Sequence, residues 1–189
     1  FAIWGPIYAG LLASAAFGLW RRADDAGWDR ARRPLIVSLA VGVPWMWVAE
    51  RSALAACAMI VVMAGTAILA LLRAPRRDRL VLTEPLGLYA GWLTAATFVA
   101  LGSTGLGYGV GPGPEGWAAV GILGTLAVAV PVLLRRRDAA GYALALAWAL
   151  LALAIKDGDA QTWVTPLAEG GIVLMVALAW KGALLPSSV

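Results

Sequence analysis

Histidine is absent from this 189-residue sequence, cysteine occurs once, and charged residues make up only 14% of the chain. Without histidine, the chain lacks the commonest metal and haem ligand and the usual general base. The single cysteine, Cys57, excludes an intrachain disulfide. No facing pair of acidic motifs replaces these groups, so we expect neither an enzyme nor a metal site. The scarcity of charge also argues against a soluble domain, which needs a polar surface.

Apolar residues are abundant instead, at 61% of the chain, and the mean hydropathy is +0.81. An α-helix crosses the hydrocarbon core of a bilayer with roughly 17 to 25 apolar residues. Seven segments reach or approach this length, so the sequence predicts an all-α fold, a polytopic transmembrane helix bundle with about seven spans. The predicted spans cover residues 1–20, 34–49, 53–72, 80–102, 117–134, 141–155 and 163–180.

The basic residues predict how the bundle is oriented. Lys and Arg accumulate in cytoplasmic loops, and alternate loops and the tail of this chain contain all 15 of its basic residues except Arg51 and Lys156. This distribution places the Phe1 end outside and the C-terminus in the cytoplasm. Because the basic clusters are short and separate apolar runs, topology and anionic lipid explain them, and we expect no nucleic-acid partner.

Two predicted spans carry small residues at every fourth position, which places these residues on one helix face. Such stripes let helix backbones approach closely within a membrane. We therefore expect the two helices to pack tightly. The stripes are Gly10, Ser14 and Gly18 in the first span and Gly87, Gly91 and Ala95 in the fourth.

Tryptophan is unusually frequent, with ten residues in the chain. Tryptophans at the predicted span ends fit interfacial anchoring, but others lie deeper. Trp4 and Tyr8 are four residues apart, and Tyr89 and Trp92 are three apart, so each pair projects from one helix face. A flat apolar ligand can stack on such faces, and ordinary aromatic packing between helices is the alternative interpretation.

Two glutamates fall within or near predicted spans, where a carboxylate is costly and therefore suggests a functional role. Glu169 follows Pro166 and precedes two glycines, a sequence that loosens a helix, so we predict an intramembrane polar site there. Glu84 precedes Pro85 and lies close to an arginine-rich loop. We expect Glu84 at the membrane interface, paired with Arg79.

Three short motifs resemble the TspO/MBR family, the tryptophan-rich sensory proteins related to the mitochondrial translocator protein. FAIWGPIY at residues 1–8 resembles the W-G-x-x-Y opening of the second family helix. PWMW at 44–47 is similar to the N-W-x-W of the third helix, and LYAGWLTAAT at 88–97 resembles the P-Y-x-x-W-x-x-x-x-T of the fifth. Pro44 and Ala100 stand where the family has asparagines, so we expect fewer polar contacts in the pocket.

The resemblance implies a five-helix bundle that binds porphyrins or sterol-like ligands in an aromatic pocket, with no covalent cofactor. Residues 1–103 would be the TspO-like helices, with the first family helix missing. Residues 104–116 would be a glycine-rich outside loop, and residues 117–189 would add three transmembrane helices. On this mapping the ligand-binding residues are Trp4, Tyr8, Trp45, Trp47, Tyr89 and Trp92.

The leading hypothesis is a TspO-like membrane protein with a sensory or regulatory role, which binds a porphyrin or other tetrapyrrole, or a sterol-like lipid, by aromatic stacking. Two alternatives stay open: a structural or assembly subunit of a larger, pigment-containing membrane complex, and a small-solute transporter. The expected partners are membrane lipid, the hydrophobic ligand, and either further copies of the chain or other subunits. The expected location is the bacterial cytoplasmic (inner) membrane.

Overall fold

The computed structural model describes residues 3–158 and 162–184. These residues form seven α-helices and contain no β-strand, which confirms the predicted all-α transmembrane bundle. The prediction that the Phe1 end lies outside and the C-terminus in the cytoplasm concerns residues that lie outside the described part of the chain. The helices are α1 (Trp4–Arg21), α2 (Ala26–Ala49), α3 (Ala53–Arg73), α4 (Glu84–Gly107), α5 (Gly113–Arg135), α6 (Ala140–Gly158) and α7 (Val164–Leu184).

Length and composition distinguish the helices. Four segments of the described residues are long and apolar enough to cross a membrane. They are α3, α5, α7, and α4 together with the turn that precedes it. Helix α6 contains a shorter apolar stretch, Ala140–Lys156. Helix α2 begins eight residues before its predicted span because the Asp25 carboxylate accepts hydrogen bonds from the amides of Gly27 and Trp28 and caps the helix.

Helix α4 is at the centre of the bundle. It packs against α1, α3, α5 and α6, while α2 packs on α3, and α7 packs on α6 and α5. Leu86, Tyr89 and Leu93 of α4 are almost completely buried in the resulting core. A π-helical turn, Arg79–Thr83, leads directly into α4. Both the aromatic cluster and the cavity described below therefore include side chains of α4.

Alternate loops give the bundle two chemically different ends. Residues 22–25, 74–78 and 136–139 connect helices at one end, which we call the arginine-rich end. Residues 50–52 and 108–112 connect helices at the other, which we call the glycine-rich end. Side-chain hydrogen bonds link all three loops of the arginine-rich end, so the predicted clustering of basic residues at one end is confirmed.

Asp78 joins the first loop of the arginine-rich end to the second. Arg22 donates two hydrogen bonds to its carboxylate, at 2.8 and 3.0 Å, and the Trp28 indole donates a third at 3.0 Å. The hydrogen bond from Arg22 lowers the pKa of Asp78, and this effect exceeds the opposing effect of burial. Arg77 makes a second ion pair across the same two loops, with Asp25.

Arg136 joins the second loop to the third and is almost fully buried, with 4% exposure. Its guanidinium donates to the carbonyl oxygens of Leu71 and of Ala74, the latter at 2.8 Å, and to the Thr83 hydroxyl at 3.2 Å. The guanidinium also donates two hydrogen bonds to the carboxylate of Asp138, two residues further along the chain. Burial alone would raise the pKa of Asp138, but the hydrogen bond and charge of Arg136 bring it below its usual value.

Glu84 lies at the arginine-rich end, where the sequence predicted it. Arg79 donates to its carboxylate at 2.7 Å, which confirms the expected pair. The second carboxylate oxygen accepts a hydrogen bond from the backbone amide of Gly141, at the start of α6. An acidic side chain thus caps the N-terminus of one helix while it neutralises an arginine beside another.

The glycine-rich loop is shorter than the predicted segment 104–116. Helix α4 continues to Gly107 and α5 begins at Gly113, so only residues 108–112 lie outside the helices. The prediction was wrong at both edges, because neighbouring helices can support glycine inside a transmembrane helix and glycine therefore does not end these two helices.

One tryptophan explains why this connection is so tight. The Trp117 ring lies against Gly105 and Gly111, where any Cβ atom would come within 3.0 Å of the indole. Its Nε1 donates to the carbonyl oxygen of Val110 at 2.8 Å. Gly111 also has a φ of +100°, which L-residues with side chains rarely adopt. Glycine is therefore required here for both space and backbone conformation.

The small-residue stripe of α4 forms a close contact, but with α6 rather than α1. A Cβ atom on Gly91 would lie 2.5 Å from the Tyr142 carbonyl oxygen, and one on Gly87 would lie 2.8 Å from the Tyr142 amide. The two backbones therefore touch at this crossing, as expected for small residues in membrane helices.

The stripe of α1 contacts two different helices. Gly10 faces Pro85 of α4, and Gly18 faces the ring of Trp28 at the start of α2. Both helices are thus closely packed at their stripes, as expected, but the two stripes are covered by different neighbours rather than by each other. Sequence spacing identifies a helix face but does not specify which neighbour covers it.

Candidate ligand-binding site

Three aromatic side chains meet where α1 packs on α4. The Trp4 and Tyr8 rings are stacked, with centroids 5.3 Å apart and an interplanar angle of 20°. The Trp92 ring meets Trp4 edge-on, with centroids 6.2 Å apart and an angle of 82°. We call these three residues the aromatic cluster. The four-residue spacing predicted that Trp4 and Tyr8 share a helix face, and the structure adds Trp92 from the facing helix.

A polar pair lies beside the aromatic cluster. Tyr89 lies on α4 three residues before Trp92 of the aromatic cluster, so the two share a helix face. The Tyr89 hydroxyl lies 3.0 Å from the Ser38 hydroxyl, which itself donates to the Met63 carbonyl oxygen at 2.8 Å. Because the Ser38 hydroxyl already donates to the Met63 carbonyl oxygen, the Tyr89 hydroxyl is the donor in the hydrogen bond between Tyr89 and Ser38. This chain of hydrogen bonds fixes the Tyr89 ring and leaves an oxygen lone pair available as an acceptor.

Exposure decides which part of this group a ligand can reach. Tyr89 is only 2% exposed, whereas Tyr8 is 51% exposed, and Trp4 and Trp92 are half-buried. The accessible surface is therefore the outer face of the stacked Trp4–Tyr8 pair. Aromatic faces of this kind bind flat apolar molecules by offset stacking.

The other two predicted ligand-binding tryptophans lie elsewhere on α2. The Trp45 indole donates to the carbonyl oxygen of Ala56 at 3.0 Å and so ties α2 to α3. Trp47 is 60% exposed, and the Arg51 guanidinium lies 3.8 Å from its ring centroid. The structure thus brings Trp4, Tyr8, Tyr89 and Trp92 together and places Trp45 and Trp47 apart from them.

The family model described as TSPO-like protein matches residues 1–181. The chain belongs to the TSPO-like family. The match is not confined to residues 1–103, where the three motifs lie, but extends through α5, α6 and most of α7. No curated protein and no solved structure matches the chain.

The acidic residue singled out in the sequence of this TSPO-like protein does not contact the aromatic cluster. Glu169 lies in the first half of α7 with an exposed side chain, and it has no hydrogen bond or ion pair with another described residue. Nearby, the Trp163 indole donates to Glu115 at 2.8 Å, which joins the start of α7 to the start of α5.

No group of three or more Cys, Asp or Glu side chains that could hold a metal ion occurs among the described residues of the TSPO-like protein. The sequence also contains no histidine that could serve as an axial ligand.

A cavity that the sequence did not indicate lies between α4, α5 and α6 of the TSPO-like protein, on the glycine-rich side of the bundle. Its volume is about 240 Å³, and its walls are mainly apolar. None of the predicted site residues lines it. No motif marks it, because it arises from the gaps left by small residues on three helices. Its lining includes Phe98, Gly102, Trp117, Gly121, Thr125 and Leu150.

Proposed function

We propose that this TSPO-like protein binds a flat apolar ligand, of the porphyrin or sterol-like class, by stacking on the aromatic cluster, and that it has a sensory or regulatory role without catalysis. The observation that carries the proposal is the stacked Trp4–Tyr8 pair, which is open on one face and held in place by Trp92. The outer ring of this stacked pair offers a flat ligand a rigid contact face at little entropic cost.

The Tyr8 hydroxyl belongs to a side chain that is 51% exposed, so it is the polar group of this site that the edge of a ligand can reach. Tyr89 is only 2% exposed and is bonded to Ser38, so a ligand on the cluster does not reach its hydroxyl. Tetrapyrroles carry ring N–H groups and sterols carry a hydroxyl, and both classes combine a flat apolar body with few polar atoms. Binding pockets with mostly apolar walls and a small number of placed polar groups follow this pattern.

We expect the protein in the bacterial cytoplasmic membrane with its arginine-rich end in the cytoplasm. The exposed arginines at this end include Arg21, Arg30, Arg76 and Arg137. Cytoplasmic loops are enriched in Lys and Arg, and their attraction to anionic headgroups reinforces this orientation.

The experiment is a titration of the purified protein, in lipid nanodiscs, with protoporphyrin IX, followed by porphyrin absorption and tryptophan quenching. Replacement of Trp4 and Trp92 together by leucine should weaken binding by roughly tenfold, because the stacked pair loses its Trp4 ring and the Trp92 ring that holds Trp4 edge-on. The matched control is Trp47→Leu, which removes a tryptophan from the exposed face of α2. Equal affinities for all three proteins, with each shown to be folded by circular dichroism, would reject the aromatic cluster as the site.

A subunit role in a larger membrane complex is the second candidate, and the exposure of several large aromatic side chains favours it. Lipid or protein can cover such side chains. Purification from native membranes in mild detergent, followed by mass spectrometry, separates the two functions, because a subunit should retain stoichiometric partners. The residues in question are Trp20, Trp47, Trp148, Trp163 and Trp180.

The transporter alternative receives no support from the position of Glu169. Glu169 is exposed on α7 and does not line the cavity between α4, α5 and α6.

A further inference from the structure

The lining of the cavity between α4, α5 and α6 extends along both α4 and α5. On α4 its lining runs from Ala95 to Leu106, and on α5 from Pro114 to Thr125. Eleven residues of helix at 1.5 Å each span about 16 Å. The volume of about 240 Å³ is smaller than the roughly 300 to 1,000 Å³ of pockets that enclose drug-sized ligands. A cavity of this volume, lined along two helices, suits a single hydrocarbon chain better than a macrocycle.

Small residues create this space. A Cβ atom on Gly121 would have no neighbour closer than the Phe98 Cβ, at 4.0 Å. Ala95, Gly102 and Ala118 also lie along the walls, and no charged side chain lines the cavity. The chemistry of the walls therefore excludes a carboxylate, a phosphate or an ammonium group and favours a neutral apolar molecule.

Two hydroxyl side chains line the cavity, and Thr125 is buried whereas Ser103 is exposed. Thr125 is 4% exposed and lines the cavity, and its hydroxyl has no hydrogen bond to any described residue. Threonines in membrane helices usually bond back to the carbonyl four residues earlier. Thr94 and Thr97 in this chain do so, both at 2.8 Å. No fully buried side-chain oxygen or nitrogen of the described residues lacks a hydrogen-bond partner. The unbonded Thr125 oxygen is therefore open to the cavity, where the hydroxyl of a ligand can reach it.

The mouth of the cavity faces the surface that a bilayer would cover. Val99, with 67% exposure, and Leu106, with 43% exposure, stand at its rim between α4 and the surroundings. A molecule dissolved in the membrane can therefore enter from the side, without crossing a polar surface.

We propose that this cavity is a second binding site, separate from the aromatic cluster, for a long single-chain alcohol of the fatty or isoprenoid class. The hydrocarbon chain fills the cavity, and the terminal hydroxyl exchanges a hydrogen bond with Thr125. A hydroxyl fits this role because threonine can both donate and accept, and because no charged side chain is present to pair with an ion. The site uses α5 and α6, which contribute nothing to the aromatic cluster.

The test uses a dodecan-1-ol probe that carries a photoactivatable diazirine on its chain, added to the full chain in lipid nanodiscs. After irradiation, mass spectrometry locates the labelled peptides. We expect saturable labelling of the α4 and α5 segments that line the cavity. Exposed residues of α7, such as Val173 and Leu174, report non-specific contact from the bilayer. Labelling that is equal on α7 and does not saturate would overturn the proposal.

Competition tests the recognition of the hydroxyl. Unlabelled dodecan-1-ol should displace the probe about fivefold better than dodecane, the value of one net hydrogen bond. Thr125→Val keeps the side-chain shape, so the variant should fold and should lose this preference. Thr66→Val is the control, because Thr66 bonds to the Val62 carbonyl outside the cavity. A preference that survives in Thr125→Val would show that Thr125 does not bind the alcohol.

A second variant tests the location. Gly121→Leu places a side chain in the cavity and should reduce labelling of α4 and α5 to the level of α7. The matched control is Gly65→Leu on α3, where a Cβ atom has no neighbour within 4 Å. Unchanged labelling in Gly121→Leu would also overturn the proposal. Porphyrin affinity should be the same in all four variants, so failure here is distinguishable from failure at the aromatic cluster.

Discussion

Arg22 and Asp78 lie 56 positions apart in the chain and form a two-point ion pair between the first two loops of the arginine-rich end. The side chain of Asp78 is 13% exposed and that of Arg22 is 33% exposed. Asp78 also has a φ of +59°, in the left-handed region. A short polar side chain is therefore favoured at this position by its backbone as well as by its charge.

The first prediction concerns the charge of Asp78. Asn tolerates a left-handed backbone, so Asp78→Asn should remove the ion pair with little added strain. Because solvent partly screens the pair, we expect the unfolding temperature to fall by only about 2 to 4 °C at pH 7. Circular dichroism in detergent measures this change. No difference from the wild type would mean that the pair contributes nothing to stability.

The pH dependence of the same variant follows from the direction of the pKa shift. The folded-state pKa of Asp78 lies below its ordinary value, which is about 3.9 in model peptides. Ionised Asp78 therefore stabilises the folded state above about pH 4, and this contribution is lost as the pH falls through the folded-state value. The difference between wild type and Asp78→Asn should be constant from pH 6 to 8 and should shrink in acid. A difference that grows in acid would contradict the assignment.

The second prediction compares two adjacent arginines. Arg136 is buried and bonds to Leu71, Ala74, Thr83 and Asp138. Its replacement by glutamine should reduce the free energy of unfolding by roughly 2 to 4 kcal/mol, because buried polar groups lose their partners.

Arg137 provides the control for this comparison, because its side chain is exposed and has no described side-chain contact. Arg137→Gln should change stability by less than about 0.5 kcal/mol. Denaturant titration in detergent micelles measures both variants, and similar losses in the two would show that burial of Arg136 does not matter.

The third prediction concerns the crossing of α4 and α6. Gly91→Ala would place a Cβ atom 2.5 Å from the Tyr142 carbonyl oxygen, so the helices must separate, at a cost of about 1 to 3 kcal/mol. Gly65→Ala, in open space on α3, should be neutral or stabilising by roughly 0.5 to 1 kcal/mol. The same titration measures both, and opposite signs are the expected result. Equal effects would mean that glycine is not needed for close approach.

The fourth prediction follows from the donor order between Tyr89 and Ser38. In Tyr89→Phe, Ser38 still donates its hydrogen bond to the Met63 carbonyl oxygen, so we expect the free energy of unfolding to fall by only about 1 kcal/mol. Ser38→Ala leaves the buried Tyr89 hydroxyl without its acceptor and should cost more, about 1 to 3 kcal/mol. The double variant then costs less than the sum of the two. If Tyr89→Phe is the more damaging change, the donor order is reversed.

Local spacing predicted the parts of the structure that lie within one helix or one turn. Trp4 and Tyr8 stack because residues four apart share a helix face. Glu84 pairs with Arg79 because the two lie five residues apart at a helix start. These contacts depend on backbone geometry that a short sequence already determines.

Contacts between distant segments could not be predicted in this way. Arg135, Arg136 and Arg137 are identical in type and adjacent, yet only Arg136 is buried. Its position depends on the carbonyl groups of α3, and nothing in the local sequence distinguishes it. Trp45 likewise follows the family-like motif, but the rotation of α2 on α3 directs its indole to Ala56.

Arg136 also has a consequence for the order of synthesis. The carbonyl oxygen of Ala74 at the end of α3 accepts a hydrogen bond from a guanidinium 62 residues later in the chain. At roughly 5 to 20 residues per second, a ribosome needs about 3 to 12 seconds to make the intervening segment. During that interval α3 is finished but its last turn lacks its native donor, so water must hydrate it. The arrival of Arg136 then replaces this water and fixes the end of α3 only after α4 and α5 have been made.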